Sequence, residues 1–173
     1  ERIRIKMRVW TPPPDTAYVK IRPMPNLRVF FRVTPLTRLS FPLLLNAWES
    51  IPGAPAVLVV NNPPEEARRG DVVLYSFLTT QLPDLHDEIL SLRKRKVIPV
   101  AGGPHAAADP EFTRRVGFQS VIIGDGEAAL TGLAHDLAAG LDLRPEYNGG
   151  RCNDISKWLP VSCLLYTSDA ADE

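Results

Sequence analysis

Two short stretches constrain the fold of this chain more than any other feature. Asp71-Val-Val-Leu-Tyr-Ser-Phe-Leu-Thr-Thr80 and Val97-Ile-Pro-Val-Ala-Gly-Gly-Pro-His105 are apolar runs that end in small, polar or glycine residues. Uninterrupted apolar runs mark strands buried on both faces, as in a parallel sheet covered by helices. Ligands of such sheets bind outside the carboxyl ends of the strands. Here those ends are Ser76–Thr80 and Gly102–His105.

The pattern recurs along the chain. Leu27–Val33 reads as the first core strand, Ala56–Val60 as a second buried strand and Gln119–Ile123 as the fifth. Helical segments separate them. Leu36–Trp48 has Ser40 as its N-cap and Pro42 in its first turn. Leu82, Leu85, Ile89 and Leu92 form one apolar stripe, with Asp84, Asp87 and Glu88 near its start and Arg93–Lys96 at its end, a polarity that complements the helix dipole. Asp109 is placed to cap a short helix over Pro110–Val116. A last helix follows Gly124-Asp-Gly-Glu127, with Leu130, Leu133 and Leu137 inward and Gly140 as its C-cap. Strands alternating with helices predict an α/β fold, a doubly wound (Rossmann-like) sheet of five parallel strands in flavodoxin-like order.

With 173 residues the chain suffices for one domain plus flanks. Its formal net charge of zero gives no reason to expect a nucleic-acid partner. Residues 1–26 are basic and Pro-rich and read as a loose arm or edge strand, 27–140 as the α/β domain and 141–162 as a linker. Residues 163–173 resemble the in-frame translation of a transposon-type sequencing adapter, so neither Cys163 nor the acidic end is given a functional role. Cys152 and Cys163 form no disulfide framework and no metal-ligand spacing. No apolar run is long enough to span a bilayer and no secretory signal opens the sequence, so a cytoplasmic location and no membrane partner are expected.

The strand ends carry the chemistry. Ser76, Thr79 and Thr80 offer hydroxyls. Gly102 and Gly103 let a flat group approach bare backbone. Gly124 and Gly126 repeat that beside a helix N-terminus, where backbone N–H groups attract anions. Each turn alone is ordinary strand-to-helix chemistry; three in register imply a slot. His105 is expected to order its loop by a hydrogen bond, and His86 and His135 to lie on helix surfaces. Glu127, opening the last helix, satisfies its dipole. No catalytic residue and no metal ligand is assigned.

These residues carry a resemblance. Ser76-Phe-Leu78 resembles the Ser-x-Leu motif of cobalamin-binding domains, and Gly102-Gly103 the Gly-Gly that accompanies it. Together with Pro104-His105 and Gly124-Asp-Gly-Glu127 they resemble the N-terminal cobalamin-binding domain of radical S-adenosylmethionine enzymes. The resemblance covers Leu27 to Gly140 and implies the same doubly wound fold. It implies that the cofactor's nucleotide tail enters the slot, with Ser76, Leu78, Thr79 and Thr80 on one wall. Gly102, Gly103, Pro104 and His105 would form a second wall, and Gly124, Gly126 and Glu127 a third, where Glu127 would also hold amide groups of the corrin. Many cobalamin domains carry Asp-x-His-x-x-Gly after the first strand, with the His as lower cobalt ligand. Here that region is Val33-Thr-Pro-Leu-Thr-Arg38, without His, which fits the radical S-adenosylmethionine branch.

That reaction needs a C-x-x-x-C-x-x-C triplet to hold a 4Fe-4S cluster, and this sequence has none. The expectation is therefore a binding fragment, not catalytic alone. S-adenosylmethionine and the cluster would belong to a missing catalytic domain in cis, and the intact enzyme would be a methyltransferase or a related carbon-skeleton enzyme. Two alternatives stay open. One is a nucleotide- or sugar-nucleotide-binding domain such as half of a glycosyltransferase, although no G-x-G-x-x-G follows the first strand. The other is a receiver-like signalling domain, which would want acidic residues where Val33-Thr34-Pro35 stand.

Overall fold

A computed structural model describes residues 27–151 apart from 35, 39 and 63. The basic arm, both cysteines and the adapter-like tail lie outside the described residues. Among the described residues six strands and five α-helices follow in the order β1 (Val29–Arg32), α1 (Phe41–Ser50), β2 (Val57–Val60), β3 (Val72–Ser76), α2 (Leu82–Lys94), β4 (Ile98–Gly102), α3 (Pro104–Ala108), α4 (Pro110–Val116), β5 (Ser120–Ile123), α5 (Gly126–Ala139) and β6 (Glu146–Asn148), with no helix between β2 and β3. All six pair in parallel, in the order β2-β1-β3-β4-β5-β6. The flavodoxin-like order is as expected, but the sheet has six strands rather than five. β6 lies in the stretch read as a linker. Being an edge strand, it buries only Tyr147 and leaves Glu146 and Asn148 exposed, so it has no apolar run to announce it.

Alternation along the strands sends side chains to two cores. On one face Phe31, Leu74 and Val100 meet Phe41, Leu45 and Trp48 of α1 and Leu130 and Leu133 of α5. On the other, Phe30, Val73 and Val121 meet Leu85, Ile89 and Leu92 of α2. β2, read as fully buried, is the other edge strand, and its Leu58 is exposed. The expected caps divide in the same concrete way. The Asp109 side chain accepts from the Phe112 N–H at 2.9 Å, and Gly140 ends α5 in the left-handed conformation. Ser40 occupies the N-cap of α1 but does not cap it; its hydroxyl donates to the Thr37 carbonyl at 3.0 Å. His86 and His135 are exposed, as expected.

β6 is held by one buried carboxylate. Asp136 of α5 accepts from the Tyr147 hydroxyl at 2.9 Å and from Arg144 Nη2 at 3.1 Å, while Arg144 Nε pairs with it at 2.8 Å. Burial pushes the Asp136 carboxyl up, but the bonds from Arg144 and Tyr147 and the charge of Arg144 outweigh it, and its pKa lies below the usual carboxylate value. Burial, and beyond it the bond to Asp136, push the Tyr147 phenol up to about 12. A carboxylate depressed in the folded state contributes stability above its unfolded pKa, about 3.9, and loses it as pH falls through the folded value. Asp136→Asn is therefore expected to destabilise the fold by about 1–3 kcal/mol at pH 7. In urea unfolding the gap to wild type should narrow below about pH 4.

Candidate functional site

The order β2-β1-β3 changes direction between β1 and β3, and a cleft opens at such a switch point. It has a volume of about 320 Å³ and lies between the carboxyl ends of β1, β3, β4 and β5 and the first turns of α1 and α5. Register builds its sheet wall. Arg32 pairs with Tyr75 and Ser76 with Gly102, so Val33, Ser76 and Gly102 fall in one row across adjacent strands. The position of a Cβ on Gly102 would lie 3.6 Å from Ile122 Cβ, which extends the row to β5. Two residues further from the mouth, Phe31 pairs with Leu74. Phe41 and Leu44 of α1 and Leu130 of α5 close the opposite side.

The structure brings Ser76, Leu78, Gly102, Gly103, Pro104, Gly124, Gly126 and Glu127 together around this cleft. Thr79, Thr80 and His105 are not among its lining residues. Thr79 and Thr80 begin a short 3-10 turn, Thr79–Gln81, and are exposed. The Thr79 hydroxyl is 3.0 Å from His105 Nδ1, so these two tie the β3 turn to the β4 turn behind the wall. The His105 ring also packs against Phe77 and Phe112, with ring centroids at 5.5 and 6.1 Å, and its Nε2 is buried without a hydrogen-bond partner. His105 orders its turn, at the start of α3 rather than in a loop.

Residue-level reading missed the wall formed by the β1–α1 turn and α1: Val33, Leu36, Thr37, Ser40, Phe41 and Leu44. The signal was present in the strand order, because the switch point requires a wall from the turn after β1 as well as from the turn after β3. Gln81 joins the two turns. Its Nε2 donates to Thr34 Oγ1 at 2.7 Å and its Oε1 accepts from the Leu78 N–H at 3.0 Å.

Two glycines on the β4 turn act differently. Gly103 has φ 93°, and a Cβ there would stand 2.8 Å from the Phe77 carbonyl oxygen. Gly102 has ordinary strand geometry, and a Cβ there would meet nothing closer than the Tyr75 carbonyl at 3.4 Å. Gly103 thus serves the fold, and Gly102 keeps the cleft wall bare. The third wall is strapped from outside. The Asp125 N–H donates to the Gly150 carbonyl at 3.1 Å and the Gly149 N–H to the Ile123 carbonyl at 2.9 Å. One of the donors beside α5 is therefore already used.

Charge is mostly neutralised around the cleft. Arg32 Nε donates to Glu88 at 3.2 Å, and the Tyr75 hydroxyl donates to the same oxygen at 2.6 Å. Burial first, then the Glu88 charge and hydrogen bond, push the Tyr75 phenol far above its ordinary range. Among the described residues Ser76 and Glu127 have no side-chain hydrogen bond or ion pair, and both line the cleft. No group of three or more His, Cys, Asp or Glu side chains is arranged for a metal among the described residues. No described helix is long and apolar enough to cross a membrane.

Residues 65–134 match the family model described as the B12 binding domain. The match supports a cobalamin-binding domain. It runs from the turn before β3 into α5 and so contains Ser76–Leu78, Gly102–Gly103 and Gly124–Glu127. Among solved structures, the N-terminal domain of a hypothetical protein from Thermotoga maritima is 32% identical, with 50% of this chain and 65% of that chain covered and a TM-score of 0.41. No curated protein matches.

The cleft has the volume of a small-molecule site at the lower end of the usual range, too small for a whole corrinoid. Gly102 places no side chain in the cleft, and the neighbouring Ser76 hydroxyl has no partner among the described residues. The two glycines should separate by experiment. Gly103→Ala is expected to cost about 1–3 kcal/mol or more in chemical denaturation, from strain and the clash with Phe77. Gly102→Ala should leave the unfolding midpoint nearly unchanged.

Proposed function

We propose that this chain is the cobalamin-binding module of a radical S-adenosylmethionine enzyme, a methyltransferase or related carbon-skeleton enzyme, and that the cofactor's nucleotide tail occupies the cleft. The observation that carries the reading is the row Ser76–Gly102–Ile122 above an apolar floor, inside the segment matched by the B12 binding domain model. Bound cobalamin supplies a cobalt centre that can carry and transfer an alkyl group. The chain's own residues hold and orient it. Gly102 lets the ring of the base lie against the backbone. Ser76 Oγ, with no partner among the described residues, hydrogen-bonds the polar part of the tail. Phe31, Leu74, Ile122 and Leu130 exclude water from the base. Glu127, without a partner among the described residues, accepts from amide N–H groups at the edge of the corrin.

No histidine lines the cleft among the described residues, so a bound cobalamin would be held here without a protein imidazole. The β1–α1 turn lines the cleft with Val33, Leu36 and Thr37, and Leu36 is 63% exposed there. The nearest imidazole on the β4 turn, His105, is held by Thr79 away from the cleft. This absence, with the ordered set of turns, supports the radical S-adenosylmethionine reading over other cobalamin proteins. The 4Fe-4S cluster and S-adenosylmethionine would be held by a catalytic domain in cis. A C-x-x-x-C-x-x-C triplet in the gene downstream of Ser162 is the expected sign of it.

Equilibrium dialysis of the full chain with hydroxocobalamin tests the binding claim. One equivalent is expected to bind, with an absorption spectrum lacking imidazole coordination. Gly102→Val projects a branched side chain into the row and should weaken binding at least about tenfold, with the fold intact by circular dichroism. No binding at high micromolar cofactor, or unchanged affinity in the variant, would contradict the proposal.

A further inference from the structure

We infer that the cleft selects among corrinoids by the polarity of the lower base, accepting a benzimidazole and discriminating against a purine. The inference rests on the tail-in-cleft reading and adds to it the chemical class of the tail. The base hangs from its sugar, and the sugar from the corrin outside, so the base enters with its glycosidic edge toward the mouth. Its fused six-membered ring then goes deepest. In a benzimidazole that ring carries only carbon and hydrogen. In adenine it carries two ring nitrogens and an amino group, which together offer two acceptors and two donors.

Among the described residues, the depth of the cleft has nothing to pair with them. Phe31, Leu74, Ile122 and Leu130 are each less than 9% exposed and present only carbon. Leu74 lies two residues before Ser76 on the same strand face, roughly 6.6 Å deeper. The polar groups that line the cleft are either committed or nearer the mouth. Thr37 Oγ1, in a buried residue, is 2.9 Å from Thr34 Oγ1 and takes the Thr34 N–H at 3.2 Å. Arg32 is bound to Glu88 and to the carbonyls of Val33 and Asn61. The Tyr75 hydroxyl is on the opposite face, bound to Glu88. Strand backbone is used by the parallel ladder, and the Gly102 carbonyl accepts from the Phe77 N–H at 3.3 Å. Ser76, Ser40 and Glu127 remain, all half-buried or exposed at the rim. They can serve the sugar and phosphate but not the far ring.

A polar group buried without a partner forfeits its hydration. Sites that leave such groups unpaired discriminate far better than sites that merely lack a methylene. One to two unpaired groups on the purine correspond to roughly 10–100-fold weaker binding. A phenolic tail, which has no ring nitrogen, should be tolerated better than the purine despite its smaller size.

The test is a set of dissociation constants for the full chain with four dicyano-free corrinoids: cobalamin, its adenine-tailed analogue, its cresol-tailed analogue and tail-less cobinamide. The expected order is cobalamin tightest, the cresol form within several-fold of it, and the adenine form about 10–100-fold weaker. Equal affinity for the cobalamin and adenine forms, with cobinamide much weaker than both, overturns this inference and leaves the tail-in-cleft reading standing. Cobinamide binding as tightly as cobalamin overturns that reading, and the inference with it. A cresol form as weak as the adenine form overturns polarity as the basis of selection and assigns it to size.

Discussion

In a parallel sheet each interior strand spends its N–H and C=O groups on both neighbours, and the backbone is released only at the strand ends. Everything this chain places at a ligand's disposal follows from that constraint and from the position of β1. Because β1 stands between β2 and β3, the chain leaves it toward α1 on one face and leaves β3 toward α2 on the other. The turns diverge and cannot close over the sheet. α5 comes down on the same face as α1, and the two helices meet near their first turns, where a Cβ on Gly126 would come within 2.8 Å of Leu44 Cδ2. The gap left between that helix pair and the sheet is the cleft.

Parallel register then decides what the gap contains. A row of side chains across β1, β3, β4 and β5 cannot be altered one residue at a time, because a slip would turn each strand's buried face outward. Val33, Ser76, Gly102 and Ile122 are therefore set together, with Phe31 and Leu74 set beneath them. Small connections keep the turns in place. Gln81 bridges the turns after β1 and β3, Thr79 and His105 bridge those after β3 and β4, and Gly149–Gly150 strap the turn after β5. A Cβ on Gly149 would lie 2.0 Å from the Asp125 carbonyl, so no larger residue fits without moving that turn. Asp136, by holding Tyr147 and Arg144, fixes the strand that delivers the strap.

The parallel sheet and the turns at Ser76, Gly102 and Gly124 were legible in the sequence, because a strand buried on both faces writes itself as an apolar run; the flavodoxin-like order was an expectation from strand number that the structure bears out, since apolar runs do not encode order. β6 was not, since an edge strand needs one buried side chain and Tyr147 supplies it. α3 was hidden by brevity: Pro104–Ala108 begins on the proline of a Gly-Gly-Pro that reads as a turn. Leu78 and Thr79 are adjacent in sequence, yet only Leu78 lines the cleft, because the 3-10 turn rotates Thr79 toward His105. The wall from α1 was not read from residue types either, because Phe41 and Leu44 look like any core-facing pair. Only their placement beside a switch point gives them a second role. The match to the B12 binding domain model, over residues 65–134, contains the motif-bearing turns and omits both α1 and β6.

The central claim is that the base of a cobalamin lies inside the protein, against Gly102 and above Leu74. A crystal structure of the full chain grown with cobalamin tests it most directly. Density for the benzimidazole among Phe31, Leu74, Ile122 and Leu130, with Ser76 bonded to the tail and no imidazole on cobalt, is the expected result. Benzimidazole density beneath the cobalt, outside a cleft that stays empty, would contradict it.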